Sequence, residues 1–339
     1  MVDLSKDELP YIRKGSVPNN FELCKEGDVA FADASEDTNE VCKTVEFYNL
    51  YNRRVVCGLH TIHGRDNTGK TVLGFKGYAF SSSAFHSQIR RIAQGTKIYS
   101  ISVKNFSECH IGIPSKAEQR KIAGFLSLLD DRIAVQRALI GEMGRLMGGI
   151  AEKEILSKQK NGKLSDVCKL GEQIKAEADI SKILTVRLHG KGVCKSAAEN
   201  LLLGATQYFY RQKGQLIYGK QNFHNGAIAI IPKELDGGIT SKDIPSFDID
   251  TSKCNPQYLL HQMLSPKFYK AAEALTTGTG SKRLSESAFL SLSIAIPELN
   301  EQNDVAFLMD AVSSKLLCEK EVLLLFEKQK QFFLQKLFI

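Results

Sequence analysis

Ile111-Gly112-Ile113-Pro114, followed three residues later by Glu118-Gln119 and a long helical pattern, returns as Ile294-Ala295-Ile296-Pro297, Glu301-Gln302 and a second such pattern. The two copies are 183 positions apart. Repeats of about 20 to 50 residues indicate a solenoid, whereas this period is long enough to hold a whole domain and the helix after it. The sequence therefore predicts a pseudo-dimer within one chain.

The two helical patterns share one apolar seam. Steps of three and four residues alternate along both, which is the period of a coiled coil. Seven of the eight matched positions are apolar in both copies, so we expect the helices to pack against each other. The seam residues are Ile122, Leu126, Leu129, Ile133, Ile140, Met143, Met147 and Ile150 in the first helix, and Val305, Met309, Val312, Leu316, Leu323, Phe326, Lys330 and Phe333 in the second.

The first long helix is predicted over residues 116–158. Gly141, Gly144, Gly148 and Gly149 interrupt it, and each weakens a helix relative to alanine. These glycines predict either a close approach of the partner helix or a bend.

Each helix follows a segment rich in glycine and short apolar runs, which is typical of a mixed domain. The predicted fold class is α+β, with two mixed α/β domains, each followed by its own long helix. The sequences of the two domains resemble each other weakly, with residues 25–31 matching 212–218. Counted from the equivalent Gly27 and Gly214, the first domain is expected to lack about two dozen opening residues that the second has. The predicted strands are 28–31, 54–57, 98–101, 215–218, 227–231 and 247–249, and the predicted helices within the domains are 83–93 and 257–274.

Composition indicates an ordinary globular protein, since 43% of the 339 residues are hydrophobic and 24% are charged. No apolar run reaches the roughly 18 residues of a membrane span, and the first residues do not resemble a signal peptide. The eight cysteines include no C-x-x-C pair, which gives no support to metal or redox chemistry and fits a reducing cytoplasm. The net charge of +7 is compatible with a polyanionic partner.

The segment Gly64-Arg65-Asp66-Asn67-Thr68-Gly69-Lys70-Thr71 formally matches the phosphate loop G-x-x-x-x-G-K-[ST], which makes a nucleotide triphosphatase one alternative. A phosphate loop must lead directly into a helix. Residues 72–80 instead contain two glycines and alternate like a strand or loop. We therefore predict that 66–69 is a turn.

No other catalytic set emerges from the sequence. Asn255-Pro256-Gln257-Tyr258 departs from the amino-methyltransferase motif at its third position, and Asn255 and Pro256 instead predict the cap and first turn of a helix. The seven histidines include no H-x-x-x-H or H-E-x-x-H pair. We expect a non-catalytic chain with no metal or cofactor of its own.

A proline after a short strand, Glu-Gln a few residues later, and a helix running through 120–133 form one pattern, and 331–338 supplies a matching helix end. This combination resembles the specificity subunit of type I restriction-modification enzymes. The second copy departs from the family pattern at Asn303-Asp304-Val305-Ala306, where the family favours a basic residue and isoleucine. The resemblance covers nearly the whole chain.

The resemblance implies two target-recognition domains, residues 1–114 and 161–297, each reading one half of a split DNA sequence. The helices, 115–160 and 298–339, would form an antiparallel coiled coil that spaces the domains and docks methyltransferase subunits, which methylate adenine. Implied partners are double-stranded DNA, methyltransferase subunits and, where restriction occurs, restriction subunits, with no membrane. S-adenosylmethionine, and ATP and magnesium for restriction, would belong to the partners. The short first domain leaves another interpretation, a truncated or silent copy that binds partners without recognising DNA.

Basic loop residues are the candidates for DNA contact, because Lys and Arg neutralise phosphates and loop side chains reach base edges. Equivalent glycine-containing loops, 94–97 and 276–283, are predicted to approach phosphates in both domains. Tyr208, Phe209 and Tyr210 could stack on bases, but such runs are more often strand core. The candidates are Arg53, Arg54, Arg65, Lys70, Arg90, Arg91 and Lys97 in the first domain and Arg187, Lys191, Lys195, Arg211, Lys220, Lys282 and Arg283 in the second.

Overall fold

The computed structural model describes residues 2–13, 15, 21–196, 206–278 and 282–338. The chain divides into two compact units, Met1–Leu139 with Glu319–Ile339, and Ile140–Cys318. Each unit contains one mixed domain, and each long helix begins in one unit and ends in the other. The predicted α+β class is confirmed.

The first unit is built on a four-stranded sheet. The strands of the whole unit are β1 (Val2–Asp3), β2 (Val29–Ala32), β3 (Ala34–Ser35), β4 (Thr44–Tyr48), β5 (Thr61–Gly64) and β6 (Tyr99–Ser100). The helices of the unit are α1 (Phe75–Ala79), α2 (Ser83–Ile92), α3 (Val103–Phe106) and the start of α4 (Lys116–Ile150). The sheet order is β1-β4-β2-β5, with β2 antiparallel to both of its neighbours and β1 parallel to β4. Phe85 and Ile89 of α2 bury against the strand residues Val29 and Phe31 to form its core.

The second unit has more strands. After a π-helical turn (Ala151–Leu156) come β7 (Gly162–Lys163), β8 (Cys168–Leu170), β9 (Lys175–Ala176), β10 (Leu184–Val186), β11 (Val193–Lys195), β12 (Tyr208–Tyr210), β13 (Leu216–Tyr218), β14 (Ile228–Ile230), β15 (Ile239–Ser241), β16 (Ser246–Ile249), α5 (Pro256–Met263), α6 (Pro266–Ala271), α7 (Glu286–Leu290), β17 (Ser293–Ile294) and α8 (Leu299–Lys336). Its main sheet has the order β14-β13-β16-β8, and a second sheet has the order β15-β12-β9.

The two domains share a three-stranded antiparallel core, in which β4-β2-β5 corresponds to β14-β13-β16. The matched Gly27 and Gly214 both have positive φ, +79° and +82°, and each lies just before the central strand. An aromatic pair recurs as well. Phe31 packs on Phe106 with ring centroids 4.8 Å apart, and the equivalent Tyr218 packs on Phe289 at 4.5 Å.

The second domain carries β8 next to β16. Among the described residues of the first unit, no strand pairs with the equivalent edge of β5.

Three local predictions are wrong. Residues 54–57 form no strand, because positive φ at Tyr51 and Asn52 turns the chain before it and only Val56 pairs, in a single bridge with Leu23. Residues 72–80 contain the short helix α1. Residues 257–274 are two helices, since Pro266 lacks the N–H that a continuous helix needs and restarts the chain.

Other local predictions are confirmed. Helix α2 spans Ser83–Ile92, and predicted strands recur as β2, β6, β13, β14 and β16. Asn255 caps α5, since its Oδ1 accepts from the backbone N–H groups of Gln257 (2.8 Å) and Tyr258 (3.1 Å), and Pro256 occupies the first turn. None of the helices in the described part of the chain is long and apolar enough to cross a membrane.

In the first unit the two long helices pack antiparallel along the predicted seam. The rings of Phe125 and Phe333 are 4.7 Å apart, and further along α4 the side chain of Asp130 pairs with Lys330. Lys330 is the one charged residue among the seam positions, and its ion pair with Asp130 accounts for the charge there. The seam residues Ile122, Leu126, Leu129 and Ile133 are buried, while Leu323, Phe326 and Phe333 are half-buried.

A polar contact lies within this apolar seam. The buried amide of Gln136 donates to both the backbone carbonyl and the carboxylate of Glu319, which is also buried. A buried polar pair among apolar positions disfavours shifted registers, because any slip would leave both groups unpaired.

In the second unit the same two helices again run antiparallel. Ser313 donates to the thioether of Met147 at 3.6 Å, and Ile155 packs with Val305 and Met309. The remaining seam residues are half-buried: Ile140, Met143, Met147, Ile150, Val312 and Leu316.

The helix glycines do not face the partner helix. A Cβ added at Gly141, Gly144, Gly148 or Gly149 would meet no atom within 4 Å. They therefore do not serve a close helix approach, which was one of the two expectations.

Gln119 joins the first domain to α4. Its side chain is fully buried in the first turn of the helix. The amide nitrogen donates to the carbonyls of Lys70 (3.0 Å) and Pro114 (2.8 Å), and the amide oxygen accepts from the N–H of Val72 (2.9 Å).

Gln302 makes the same set of bonds in the second unit. It donates to the carbonyls of Lys253 (3.0 Å) and Pro297 (2.8 Å) and accepts from the N–H of Asn255 (2.8 Å). Every partner lies 183 positions beyond its counterpart. The glutamine of the repeated Glu-Gln pair is thus a structural joint between domain and helix.

Replacing Gln119 with methionine is expected to destabilise the first unit by about 2–4 kcal/mol, because three partly buried backbone groups would lose the hydrogen bonds that its buried amide makes. Urea unfolding followed by circular dichroism would measure this. Gln331→Met, at an exposed position of α8, is the control and should change stability by less than about 0.5 kcal/mol. Equal stabilities of the two variants would contradict the joint.

Candidate nucleic-acid interface

The predicted phosphate-reaching loop of the first domain closes as a tight hairpin between Gln94 and Ser100. Gly95 has φ +136°, and a Cβ there would lie 1.9 Å from the carbonyl oxygen of Ile98. Only glycine fits this position. The loop presents the exposed Lys97 at its tip.

The second domain closes its loop at equivalent positions. Thr277 bridges to Arg283, each 183 residues beyond Gln94 and Ser100, and Gly278 repeats the positive φ of Gly95 at +113°. Residues 279–281 of this predicted loop lie outside the described residues. The sequence-predicted equivalence of the loops therefore extends to their bridges and to the glycine.

The cations of the second loop are held by exposed carboxylates. Lys282 pairs with Glu273 at 2.7 Å, and Arg283 pairs with Asp243 at 2.9 Å. Exposed ion pairs contribute little stability, so a phosphate can replace the carboxylate at small cost.

Five other predicted cations of the first unit are exposed: Arg53, Arg54, Lys70, Arg90 and Arg91. Arg90 and Arg91 occupy the last turn of α2, immediately before the loop of Lys97. Arg53 and Arg54 lie beside the turn at residues 51–52. Arg90, Arg91 and Lys97 thus lie at, or just after, the C-terminal end of α2.

In the second unit three predicted cations share one hairpin. Arg187, Lys191 and Lys195 are exposed on β11 or on the turn that joins β10 to β11. The guanidinium of Arg187 donates to the carbonyl of Lys191, which shapes the turn while leaving the ammonium groups exposed.

Arg211 is not available for DNA, so that prediction is wrong. Its side chain is fully buried and donates to the hydroxyl of Thr240 (2.7 Å) and to the carbonyls of Tyr210 and Ile244 (3.3 Å each). Burial lowers the pKa of Arg211 to about 10. It also lies over the ring of Phe209 at 5.5 Å, so it serves the packing of the domain.

Two further cations are engaged inside the protein. Lys220 pairs with Glu286 at 2.7 Å and its side chain is only 16% exposed. Arg65 donates to the carboxylates of Asp28 and Glu22. Of the aromatic run, Tyr208 and Phe209 are strand core as predicted, and only Tyr210 is exposed.

The formal phosphate-loop match is a closed turn. The Asp66 carboxylate accepts from the N–H and hydroxyl groups of Thr68 and Thr71, at 2.7–2.9 Å. Burial opposes its charge, but these hydrogen bonds hold the pKa of Asp66 well below its usual range. The carboxylate occupies the groups that would otherwise face a phosphate or metal, so the geometry does not support a nucleotide site.

A cluster that the sequence reasoning missed lies at one corner of the first domain. The sulfur atoms of Cys24 and Cys57 are 3.6 Å apart, and a ring nitrogen of His63 lies within 4.8 Å of them. The hydrogen bond from Cys24 lowers the pKa of Cys57 to about 7, and the same contact raises that of Cys24. No local motif could reveal this group, because Cys24 lies 33 positions before Cys57.

Comparison with known proteins identifies a family. The profile of the type I restriction modification DNA specificity domain matches residues 70–143 and 157–324. The fold is similar to that in the crystal structure of a type I restriction-modification system S subunit from M. genitalium, with 16% identity over 95% of this chain and 85% of that chain, and a TM-score of 0.61.

A second similar structure comes from work on complex assembly and conformational transition of the type I R-M system, with 12% identity over 95% of this chain and 84% of that chain, and a TM-score of 0.55. At these identities the likeness concerns the fold. No curated protein sequence matches the chain.

Gly95→Ala is expected to open the 94–100 loop, because the new Cβ would collide with the Ile98 carbonyl. Faster amide hydrogen exchange at Gln94 and Ser100, which bond to each other, would report the change. The control is Gly69→Ala, which also has positive φ (+62°) but open space around the new Cβ. Unchanged exchange at Gln94 and Ser100 would contradict the steric argument.

Proposed function

Because this chain belongs to the family of type I restriction-modification DNA specificity domains, we propose that it is the specificity subunit of such a system. It reads a bipartite DNA site and docks methyltransferase subunits that methylate adenine. The observation that supports this most directly is the duplicated domain, with an equivalent glycine-anchored basic loop in each copy.

Each domain reads one half of the site. Phosphate contacts from Lys97, Arg90 and Arg91 in the first domain, and from Lys282 and Arg283 in the second, position the duplex. Base edges are then read by side chains of the neighbouring loops. The hairpin of Arg187, Lys191 and Lys195, together with Arg53 and Arg54 of the first domain, supplies further cations.

The chain's part is recognition, and the chemistry belongs to its partners. S-adenosylmethionine binds the methyltransferase subunits, and ATP and magnesium serve restriction subunits where restriction occurs. The complex works on DNA in the cytoplasm.

Exposed apolar residues on the helices support partner docking. In the first unit Leu128, Val135 and Leu139 follow one another by 7 and 4 residues, which places them on one face of α4, and they are 66%, 68% and 41% exposed. Leu324, Leu325 and Phe332 are likewise exposed on α8. Apolar side chains in such numbers on one helix pair mark a protein interface.

A silent copy that binds partners without reading DNA is the competing function. Within the described residues of the first unit, no strand pairs with the outer edge of β5, which favours it, while the two closed basic loops favour recognition.

Co-expression of this chain with its methyltransferase subunit, followed by mapping of 6-methyladenine, separates the two functions. We expect a split methylated motif. Lys97→Ala with Arg90→Ala should weaken binding of the complex and lower the slope of log affinity against log salt by about 1 per lost phosphate contact. Lys43→Ala, an exposed lysine of the same unit, is the control. An intact complex with no new methylated motif would contradict recognition.

Leu128→Glu with Val135→Glu should weaken association with the methyltransferase subunit about tenfold or more, because charges would be buried in the interface. Isothermal titration calorimetry would measure it. Leu59→Glu, at a highly exposed position of the same unit outside the helices, is the control. Undiminished affinity of the double variant would place the docking surface elsewhere.

A further inference from the structure

Separate segments of the first domain bring Cys24, Cys57 and His63 to one corner, with one ligand atom of each within 4.8 Å of the others. We propose that this corner binds a tetrahedral transition-metal ion, zinc in the cell, through Cys24, Cys57, His63 and the carboxylate of Glu22. The ion would cross-link the start of the domain to its central sheet. This inference concerns the first domain's stability and stands independently of the DNA site.

The spacing of the sulfur atoms fits a shared ion. Two thiolates bound to tetrahedral zinc at about 2.3 Å lie about 3.8 Å from each other. Cys24 and Cys57 already place their sulfurs 3.6 Å apart. Little movement would be needed for both to bind, and each thiol would release its proton on coordination.

His63 is oriented for coordination by a neighbouring carboxylate. Its Nε2 lies 2.8 Å from Oδ2 of Asp28, and the Asp28 side chain is only 3% exposed. Arg65 fixes Asp28 in turn, through bonds of 2.6–3.2 Å. Because Nε2–H donates to Asp28, the lone pair of Nδ1 remains for a metal, which is the usual carboxylate–histidine–zinc arrangement.

Glu22 supplies the fourth ligand. Its Oε2 is 3.7 Å from Nδ1 of His63, and these groups pair without a close hydrogen bond. Nitrogen and oxygen ligands at about 2.0–2.1 Å on one tetrahedral ion lie roughly 3.3 Å apart. Glu22 does not yet lie within 4.8 Å of both sulfur atoms and the imidazole, and its Oε1 pairs with Arg65. Its side chain is 62% exposed, so it is free to turn towards the ion when the ion binds. Two sulfurs, one imidazole and one carboxylate favour zinc over magnesium or calcium.

The second domain has an equivalent corner, with different residues at the positions of the two cysteines. The bridge of Leu23 with Val56 corresponds to the pairing of Tyr210 with Ile239. The next position along each segment is Cys24 in the first domain and Arg211 in the second.

Cys57 likewise corresponds to Thr240. Where the second domain joins these positions by the Arg211–Thr240 hydrogen bond of 2.7 Å, the first domain has two thiols. A guanidinium therefore cross-links one corner, and a metal ion would cross-link the other.

The test uses the full chain, reduced and stripped of metal, titrated with Co²⁺ and then with Zn²⁺. We expect one equivalent of Co²⁺ to produce thiolate-to-cobalt charge-transfer absorption and tetrahedral d–d bands, which Zn²⁺ displaces. Cys24→Ser with Cys57→Ser should abolish the charge-transfer band. Asp28→Asn, a change to a positioning residue, should weaken Zn²⁺ binding about 10–100-fold and leave the band in place at saturation.

Cys109→Ser, a half-buried thiol of the same unit outside the cluster, is the control and should bind as the unchanged chain does. A second measurement needs no variant: Zn²⁺ should protect Cys24 and Cys57, but not Cys109, from alkylation mapped by mass spectrometry. The proposal is overturned by absence of stoichiometric Co²⁺ or Zn²⁺ binding, by a spectrum without thiolate bands, by unprotected Cys24 and Cys57, or by a Cys24–Cys57 disulfide that persists in reducing buffer with Zn²⁺.

Discussion

Two buried glutamines, Gln119 and Gln302, hold each domain on its helix. A buried amide has to satisfy its N–H groups and its oxygen inside the protein, because leaving one unpaired costs about 1–3 kcal/mol. Each glutamine does so with two carbonyls and one N–H drawn from two separate segments. The side chain therefore fixes where the helix begins relative to the last strand and to an earlier loop. In the first unit, apolar packing adds to this joint, because Phe75 and Tyr78 of α1 are buried against Leu126 of α4.

The apolar residues of the seam stabilise the helix pair, and its polar contacts fix the register of the two helices. Apolar positions provide the burial, but they tolerate a slip of one heptad. The buried pair of Gln136 with Glu319 disfavours such a slip, because it would leave a buried amide and carboxylate unpaired. The partly exposed pair of Asp130 with Lys330 favours the same register. Lys330 interrupts the apolar pattern in the sequence for this reason.

Much of the scaffold could be predicted from the sequence, because its signals are local or repeated. The helix seam, the Asn255 cap and the two glycine-containing loops, 94–97 and 276–283, each follow from a short pattern. The break at Pro266 follows from the missing N–H of proline, which the prediction of one helix over 257–274 did not take into account. Burial of Arg211 could not be predicted, since a basic residue beside aromatics has the same pattern on a surface as in a core. The Cys24–Cys57–His63 cluster depends on contacts between segments up to 39 positions apart.

The two copies are alike where a backbone or packing constraint applies, and they differ in the cations of their loops. The glutamine joint, the positive-φ glycines and the aromatic pair below the central strand are the same in both domains, since each satisfies a backbone or packing constraint that does not depend on the DNA. The loop cations differ: Lys97 follows two exposed arginines of a helix end, whereas Lys282 and Arg283 are held by carboxylates. Two identical readers would favour a palindrome. Different loops on a common frame are what a subunit needs in order to read two unlike half-sites, so the divergence of the loops is itself an argument for an asymmetric target.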